Sequence, residues 1–270
     1  MKKLGIIGAG AIGSAIVSGL ISAGTFKPED IIITNREKRS RLLKLKELWK
    51  VNITEDKKEL LRFSDTIIIA VKPQDIEDLL KEIKRMVKEK HLIISVVAGL
   101  KTSTIESKIG KKIRVVRTMP NIAVAVGESA TAIAKGTYAT DDDISFTKTI
   151  FCALGKSVVI DEGLMDLVTA LSGSGPAYIY FLIEAMREGA IKSGMPEDVA
   201  HVLALQTLWG ASELSKRTNE DISLLRERIT SPGGTTASAL QTMKEHGLPE
   251  IISKAIESAT SRSKELNQGR

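Results

Sequence analysis

The feature that most constrains the fold is a glycine-rich segment, GAGAIG, at residues 8–13. A short apolar run precedes it at residues 4–8, an amphipathic stretch with helical spacing follows at residues 11–23, and a second apolar run lies at residues 31–34. A strand, a glycine-rich turn, a helix and a second strand in this order are typical of a dinucleotide-binding βαβ unit. The segment therefore predicts that the N-terminal part of the chain contains such a unit.

Each glycine of this segment has its own physical reason to be there. Gly8 permits the tight turn, Gly10 lets the backbone approach a pyrophosphate, and Gly13 lets the helix pack closely on the sheet. The helix that starts at Ala11 and Ile12 offers unpaired N–H groups and a positive potential to the phosphates. We expect all five residues to bind the cofactor.

The end of the second apolar run indicates which dinucleotide binds. NAD sites usually carry an acidic residue there, which binds the ribose hydroxyls. This chain instead has Thr34, Asn35 and Arg36, with Arg39 one helical turn later. A carboxylate would repel a 2′-phosphate, whereas Arg36 can pair with it. The sequence therefore predicts NADP(H) as the preferred cofactor, with NAD(H) as the alternative.

Two later apolar runs, at residues 66–71 and 92–97, lead into small residues. Ligands of an open parallel sheet bind beyond the carboxyl ends of its strands. Small residues there let the dinucleotide approach the backbone, and the lysine can reach a phosphate or a ribose hydroxyl. The predicted cofactor contacts are Ala70, Val71, Lys72, Pro73, Ala98 and Gly99.

The pattern of apolar runs divides the chain into two parts. Runs and helical stretches alternate through residues 1–162, which predicts an α/β Rossmann-like dinucleotide-binding domain whose last strands are differently ordered or antiparallel. Residues 163–270 lack the β pattern, which predicts an all-α C-terminal dimerisation and substrate domain. The stretch at residues 177–190 is apolar around most of its circumference, and so small a domain barely encloses such a helix. We therefore expect the helical part to dimerise.

Composition excludes several classes of function. The single cysteine, Cys152, and three histidines far apart in sequence exclude a disulfide framework and argue against a metal site. The net charge is +6, but few residues are aromatic, which favours a small anionic ligand over nucleic acid. Neither a leader pattern nor a long uncharged apolar run is present. We expect a cytoplasmic enzyme without a nucleic-acid or membrane partner.

Two further glycine-rich segments each open a predicted helix: LSGSGPA at residues 171–177 and TSPGGTT at residues 230–236. The first would let its helix approach a cofactor or a partner chain closely. In the second, the glycines leave N–H groups open and the hydroxyls add donors, which suits a small carboxylate.

The catalytic groups that the sequence lacks limit the types of reaction it can catalyse. No Ser–His–Asp set, metal cluster or Lys–His couple accompanies the glycine-rich segments. A ketone reductase usually needs a proton donor, whereas a protonated imine already carries its proton and needs hydride, orientation and an anchor. The sequence therefore favours reduction of an imine that bears a carboxylate.

These motifs resemble those of Δ1-pyrroline-5-carboxylate reductase over essentially the whole chain. The IGAGAIG and AVKP segments are shared with other reductases, and the specific motifs lie in the second half. They are LSGSGPAY at residues 171–178, TSPGGTT at residues 230–236, Gln206-Thr207 with Gly210-Ala211, and Arg262-Ser263 followed by Glu265-Leu266.

The resemblance implies NAD(P)H-dependent reduction of the cyclic imine to L-proline, the last step of proline biosynthesis. Hydride would pass from the nicotinamide to the imine carbon, in homodimers that often assemble further into decamers. Carried over by position, Thr236 would be the catalytic residue that hydrogen-bonds the ring nitrogen. The resemblance further implies a carboxylate site at Ser231, Gly233, Gly234 and Thr235, and a nicotinamide site at Met119 and Asn121.

The chain departs from the family pattern in two places. Ala123 stands where the family often has proline, and Asp221-Ile222 stands where it often has His-Pro. The second change leaves open whether the neighbouring Glu220 contacts the substrate.

Other functions remain open at this point. The same scaffold would suit another small cyclic imino acid. It would also suit a β-hydroxyacid substrate. Reductases of β-hydroxyacids rely on a catalytic lysine in their helical domain, and the only lysine of the apolar helix is Lys192, near its exposed end. A non-catalytic dinucleotide-binding protein would not need the segment at residues 230–236. A nucleic-acid binder rests on the net charge alone.

Overall fold

The computed structural model describes residues 2–36 and 39–268. Within them, the N-terminal part is built around an eight-stranded sheet. The strands are β1 (Leu4–Ile7), β2 (Ile31–Thr34), β3 (Asn52–Thr54), β4 (Thr66–Ile69), β5 (Leu92–Ser95), β6 (Arg114–Met119), β7 (Ser129–Lys135) and β8 (Gly155–Val159).

The strand order is β3-β2-β1-β4-β5-β6-β7-β8. Strands β1 to β6 are parallel, β7 is antiparallel to β6, and β8 is parallel to β7. The chain builds outward from β1 through β2 and β3, and then returns to place β4 on the other side of β1. Ligands of open α/β sheets bind at such a reversal, so the residues that follow β1, β2 and β4 converge where a dinucleotide is expected.

Helices cover both faces of this sheet. One apolar core includes side chains of the first, second and sixth helices, and the other includes side chains of the third, fourth and fifth. Burial on both faces explains why the strands are continuous apolar runs without alternation. The helices of this part are α1 (Ala11–Ser22), α2 (Arg39–Trp49), α3 (Lys57–Phe63), α4 (Ile76–Ile83), α5 (Thr102–Ile109), α6 (Asp141–Cys152) and α7 (Met165–Val168).

A second compact unit begins at Gly175 and ends at Glu257, and the last turns of the chain belong to the first unit. Two side chains on its first helix, Tyr180 and Phe181, are 59% and 73% exposed in the single chain. Large apolar side chains left in water favour association with another surface. The helices are α8 (Gly175–Lys192), α9 (Glu197–Thr218), α10 (Ile222–Arg228), α11 (Thr235–Glu245) and α12 (Leu248–Gln268).

The predicted fold class is confirmed: a Rossmann-like sheet domain precedes a helical region. Among the last strands, which were expected to be differently ordered or antiparallel, β7 is the antiparallel one. Four elements were not predicted from the sequence: β3, α3, α5 and α6. The edge strand β3 has only three residues, too few for a periodic pattern. The start of α6 did carry a signal, because Thr140 and Asp143 form a capping box.

The domain boundary expected at residues 162–163 stays a prediction, and the compact units of the structure divide after Ser174. The helical spacing of residues 38–49 also predicts a helix, which the structure describes from Arg39 to Trp49; residue 38 lies outside the described residues. In the described part of the chain, no helix combines the length and hydropathy needed to cross a membrane.

Candidate active site

The turn after β1 has the backbone geometry that GAGAIG predicts. Gly8 has a φ of +116°, and a Cβ there would lie 2.4 Å from the carbonyl oxygen of Ala70. A Cβ on Gly13 would lie 2.0 Å from the carbonyl oxygen of Gly8, whereas a Cβ on Gly10 would meet nothing within 4 Å. Gly8 and Gly13 are therefore needed for the turn and its packing, and Gly10 leaves space for a ligand beside the backbone.

The start of α1 is suited to an anion. Gly10 occupies the N-cap position and offers no side-chain cap, and the first turn contains no acidic residue. The first hydrogen bond of the helix runs from the Ser14 N–H to the Gly10 carbonyl. The preceding N–H groups of Ala11, Ile12 and Gly13 lie at the positions that no helical carbonyl can satisfy. These residues fit the pyrophosphate of a dinucleotide.

A cleft of about 470 Å³ opens beside this turn, at the carboxyl ends of β1, β2 and β4. The predicted cofactor residues that line it are Gly8, Gly10, Thr34, Asn35, Arg36, Ala70, Val71 and Lys72. The predicted cofactor residues that do not line it are Ala11, Ile12, Gly13, Pro73, Ala98, Gly99, Met119 and Asn121. The charged residues that the sequence analysis missed are Arg41, Lys57, Asp75, Asp78 and Glu82.

The end of β2 places cations in this cleft. Arg36 and Arg41 both line it, whereas Arg39 pairs with Glu55 at 3.4 Å. The Arg36 guanidinium Nη1 lies 3.8 Å from the Asp75 carboxylate, and the two side chains are 64% and 38% exposed. The position of Arg41 on the first turn of α2 was a usable sequence signal. Nothing in the sequence indicated that Asp75 would face Arg36, because the fold brings them together.

The residues after β4 and β5 continue the same edge of the sheet. The Ala70 N–H donates to the Ile7 carbonyl at 2.8 Å, which extends the pairing of β4 with β1 by one residue. The exposed Lys72 precedes a single 3₁₀ turn, Pro73–Asp75. Gly99 follows β5 with a φ of +71°, a conformation that glycine adopts without strain.

The residues proposed to lie near the nicotinamide pack against the LSGSG segment. The Asn121 amide Nδ2 donates to the Ser172 carbonyl at 3.1 Å, and its Oδ1 accepts the Ala123 N–H at 3.1 Å. Met119 lies so close to Gly173 that a Cβ there would be 2.9 Å from the methionine methyl group. A proline in place of Ala123 could not donate this hydrogen bond. The departure from the family pattern therefore gives Asn121 an additional hydrogen bond.

An ion pair between a buried arginine and a half-buried glutamate lies on the strand that leads to Met119. Arg117, on β6, lies 3.4 Å from Glu162. Glu162 also accepts hydrogen bonds from the backbone N–H and the hydroxyl of Thr102 at 2.8 and 2.7 Å. The LSGSG segment overlaps a π-helical turn, Thr169–Gly173, a feature that occurs frequently at functional sites. The glycines are evident in the sequence, whereas this irregular turn is not.

The TSPGGTT segment forms a second open helix start, in the other compact unit. Gly233 has a φ of +71°, and the Gly234 N–H donates to the Ser231 carbonyl at 3.0 Å. Gly234 is the N-cap of α11 and offers no side-chain cap. A Cβ on Gly234 would lie 2.4 Å from the Ser231 hydroxyl. Together with the hydroxyls of Thr235 and Thr236, this start of α11 can hold a carboxylate.

The acidic residues that precede this segment have partners of their own. Glu220 pairs with Arg228 at 2.7 Å. Asp221 caps α10 by accepting the Ser223 N–H at 2.7 Å. Hydrogen bonds from the Ser223 hydroxyl and N–H lower the pKa of Asp221. The Asp221-Ile222 departure therefore supplies a helix cap.

Within residues 2–36 and 39–268, no group of three or more histidine, cysteine or acidic residues could hold a metal ion. Lys192 is the last residue of α8 and is exposed.

Two family models match the chain, one in each of the two parts that its motifs define. Residues 162–266 match the model described as pyrroline-5-carboxylate reductase dimerisation. Residues 3–99 match the model described as NADP oxidoreductase, coenzyme F420-dependent.

Individual proteins are similar over the full length. Pyrroline-5-carboxylate reductase 2 of Bacillus subtilis is 40% identical over 99% of this chain and 96% of its own. A pyrroline-5-carboxylate reductase structure from Coxiella burnetii superposes with a TM-score of 0.93 at 35% identity, covering 98% of each chain. The Plasmodium falciparum pyrroline carboxylate reductase, solved with NADP bound, gives a TM-score of 0.87 at 31% identity with the same coverage.

Proposed function

The chain belongs to the pyrroline-5-carboxylate reductase family, and from this membership we propose how its residues reduce 1-pyrroline-5-carboxylate to L-proline. The reaction is the last step of proline biosynthesis and uses a reduced nicotinamide dinucleotide. The similarity over the full length of the chain carries this assignment. The two uncapped helix starts, at α1 and α11, support it because the reaction has two anionic ligands.

We propose NADP(H) as the preferred cofactor, which supplies hydride when it is bound. Gly8, Gly10 and Gly13 make the backbone accessible to the pyrophosphate, and the first N–H groups of α1 bind it. Arg36 and Arg41 line the cleft near the end of β2 and would pair with a 2′-phosphate. The NADP in the Plasmodium falciparum relative supports this choice.

The start of α11 is the proposed carboxylate site. The N–H groups of the first turn and the Ser231 and Thr235 hydroxyls donate to the substrate carboxylate, while Gly233 and Gly234 give the loop its shape. A carboxylate at a helix N-terminus is stabilised by about 0.3–1 kcal/mol when exposed, and by up to about 2 kcal/mol when partly buried. The anchor fixes the ring so that its imine carbon can face the nicotinamide.

Thr236 is the proposed catalytic residue. Its hydroxyl accepts the N–H of the protonated imine and orients the C=N bond. Hydride supplied by the bound cofactor would form the new C–H bond, and the π electrons of C=N would move to nitrogen, whose positive charge would then disappear. No acidic side chain has to deliver a proton in this step, in agreement with the lack of a protein acid in the TSPGGTT segment.

Asn121 and Met119 are proposed to lie beside the nicotinamide. Both side chains are held from within the same unit: Asn121 by the Ser172 carbonyl and the Ala123 N–H, and Met119 by packing on Gly173. Side chains fixed before the cofactor arrives lose less entropy on binding.

The helical part carries the dimerisation domain of the family. The exposed apolar side chains of α8 and α9 provide the surface for a homodimer. We further propose a decamer assembled from such dimers, measurable by light scattering, and a cytoplasmic location. The absence of nucleic-acid and membrane partners stays a prediction.

The experiment that tests the activity follows the loss of the ultraviolet absorbance of NADPH with 1-pyrroline-5-carboxylate as substrate, repeated with NADH. Proline formed in equal amount to the cofactor oxidised supports the proposal, and the two rates give the cofactor preference. If neither cofactor is oxidised while NADPH still binds, the substrate assignment is wrong. A panel of other cyclic imino acids then tests the second candidate, which the carboxylate site would serve equally well.

A further inference from the structure

A second cavity, of about 320 Å³, opens in the first compact unit at the amino ends of the strands, opposite to the dinucleotide cleft. The dinucleotide residues follow parallel strands, whereas His91, which lines this cavity, immediately precedes β5. The other walls come from α3 and from the segment between α4 and β5. A ligand here would therefore occupy a site separate from that of the dinucleotide.

Five cationic side chains line the cavity: Lys58, Arg62, Arg85, Lys88 and Lys90. None of the described residues that line it is acidic. No carboxylate in the described part of the chain lies within 4.0 Å of any of these five cations. Elsewhere in this unit, cations such as Lys57 and Lys108 have carboxylate partners. Like charges repel one another, so the five cations destabilise this arrangement unless a bound anion offsets their charge.

The buried wall of the cavity carries a hydrogen-bond donor without a full partner. His91 is 1% exposed, and its Nδ1 accepts the Lys88 N–H at 3.1 Å. The ring proton of the neutral side chain therefore lies on Nε2, which makes no hydrogen bond of normal distance and angle. Burial, with Lys90 and Lys88, lowers the pKa of His91 to about 4, while the Asp65 carboxylate and a weak contact with the Leu61 carbonyl oppose this shift. A buried donor left unsatisfied destabilises the folded chain, and a bound anion would satisfy it.

We propose that this cavity binds a small anion that carries a diphosphate group. Several adjacent cations with no carboxylate within 4.0 Å match an anion of several charges better than a single carboxylate. The two arginines can bind phosphate oxygens in bidentate fashion. The His91 Nε2–H would donate to an oxygen that enters deepest. The volume fits a small ligand rather than a folded partner.

The experiment uses inorganic pyrophosphate as the probe and the full-length protein saturated with NADP⁺, which fills the phosphate site at α1. Binding is measured by isothermal titration calorimetry at constant ionic strength. In parallel, the histidine ring nitrogens are followed by NMR, because His201 and His246 are exposed and lie outside the cavity. The test variant is Arg62→Gln/Arg85→Gln. The control variant, Lys148→Gln/Lys156→Gln, removes the same charge from exposed positions outside the cavity.

We expect saturable binding and a shift of the His91 resonance with little change at His201 and His246. The test variant should weaken binding by at least about 10-fold, and the control variant by less than about 2-fold. Equal loss in both variants, or no saturable binding, overturns the proposal. If the test variant lowers the Tm but binds pyrophosphate normally, the two arginines only stabilise the carboxyl ends of α3 and α4, and the proposal is likewise wrong. None of these outcomes depends on imine reduction.

Discussion

The Asp75 carboxylate should set how strongly this protein prefers NADPH over NADH. In the structure it lies 3.8 Å from the Arg36 guanidinium, the group proposed to bind the 2′-phosphate. A bound 2′-phosphate must replace Asp75 as the partner of Arg36, and it must also lie near the Asp75 carboxylate, which has the same sign of charge. NADH has no 2′-phosphate, so neither effect opposes its binding. Asp75→Asn should therefore strengthen NADPH binding selectively.

The magnitude follows from the exposure of the pair. Exposed ion pairs contribute about 0.2–1 kcal/mol, so releasing Arg36 from Asp75 is worth about 1.5- to 5-fold in affinity. Repulsion between two unit charges about 4 Å apart in a water-like medium adds about 1 kcal/mol at most. We expect Asp75→Asn to lower the Kd for NADPH by about 3- to 10-fold and that for NADH by less than about 2-fold.

The assay is isothermal titration calorimetry of both cofactors at low and moderate salt. Arg36→Ala alone should weaken NADPH by about 10-fold. Adding Asp75→Asn to the Arg36→Ala variant should increase its NADPH affinity by a smaller factor than Asp75→Asn does in the natural chain, because the ion pair is already absent. Asp142→Asn is the matched control, since Asp142 is exposed on α6 and outside the cleft. Equal gains for NADPH and NADH, or no gain, would refute the reasoning.

Three other perturbations test separate parts of the structure. Gly13→Ala should lower the Tm and weaken both cofactors together, because its Cβ would lie 2.0 Å from the Gly8 carbonyl oxygen; normal binding in thermal-shift titrations would contradict this. Thr236→Ala should lower kcat/KM for the imine by about 10-fold or more while the Kd for NADPH stays unchanged; a parallel loss of cofactor binding would rule out the assigned role. Urea unfolding across acid pH tests His91, whose pKa is about 4 when folded and 6.5 otherwise. The unfolded chain binds its proton more readily between these values, so up to about 3 kcal/mol of stability is present above pH 6.5 and lost toward pH 4. His91→Leu should flatten that loss, and an unchanged pH profile would exclude His91 as its source.

The sequence alone determined the features that depend on local backbone conformation. GAGAIG required a tight turn and close packing at Gly8 and Gly13 whatever surrounds them, and the structure shows both contacts. The open helix start after Gly234 was predictable for the same reason. Continuous apolar strands indicated a sheet covered on both faces, which is the architecture found. Arg36 after the second strand was likewise a local signal.

Only the tertiary structure decided which distant residues meet. Asp75 faces Arg36 because β4 returns beside β1, and a spacing of this length carries no local signature. The Asn121 amide meets the Ser172 carbonyl through a π-helical turn that composition does not indicate. The cations around His91 lie on two separate stretches of the sequence, and no local pattern marks them as one cluster. They converge on one cavity because α3 and the segment after α4 reach the same edge of the sheet.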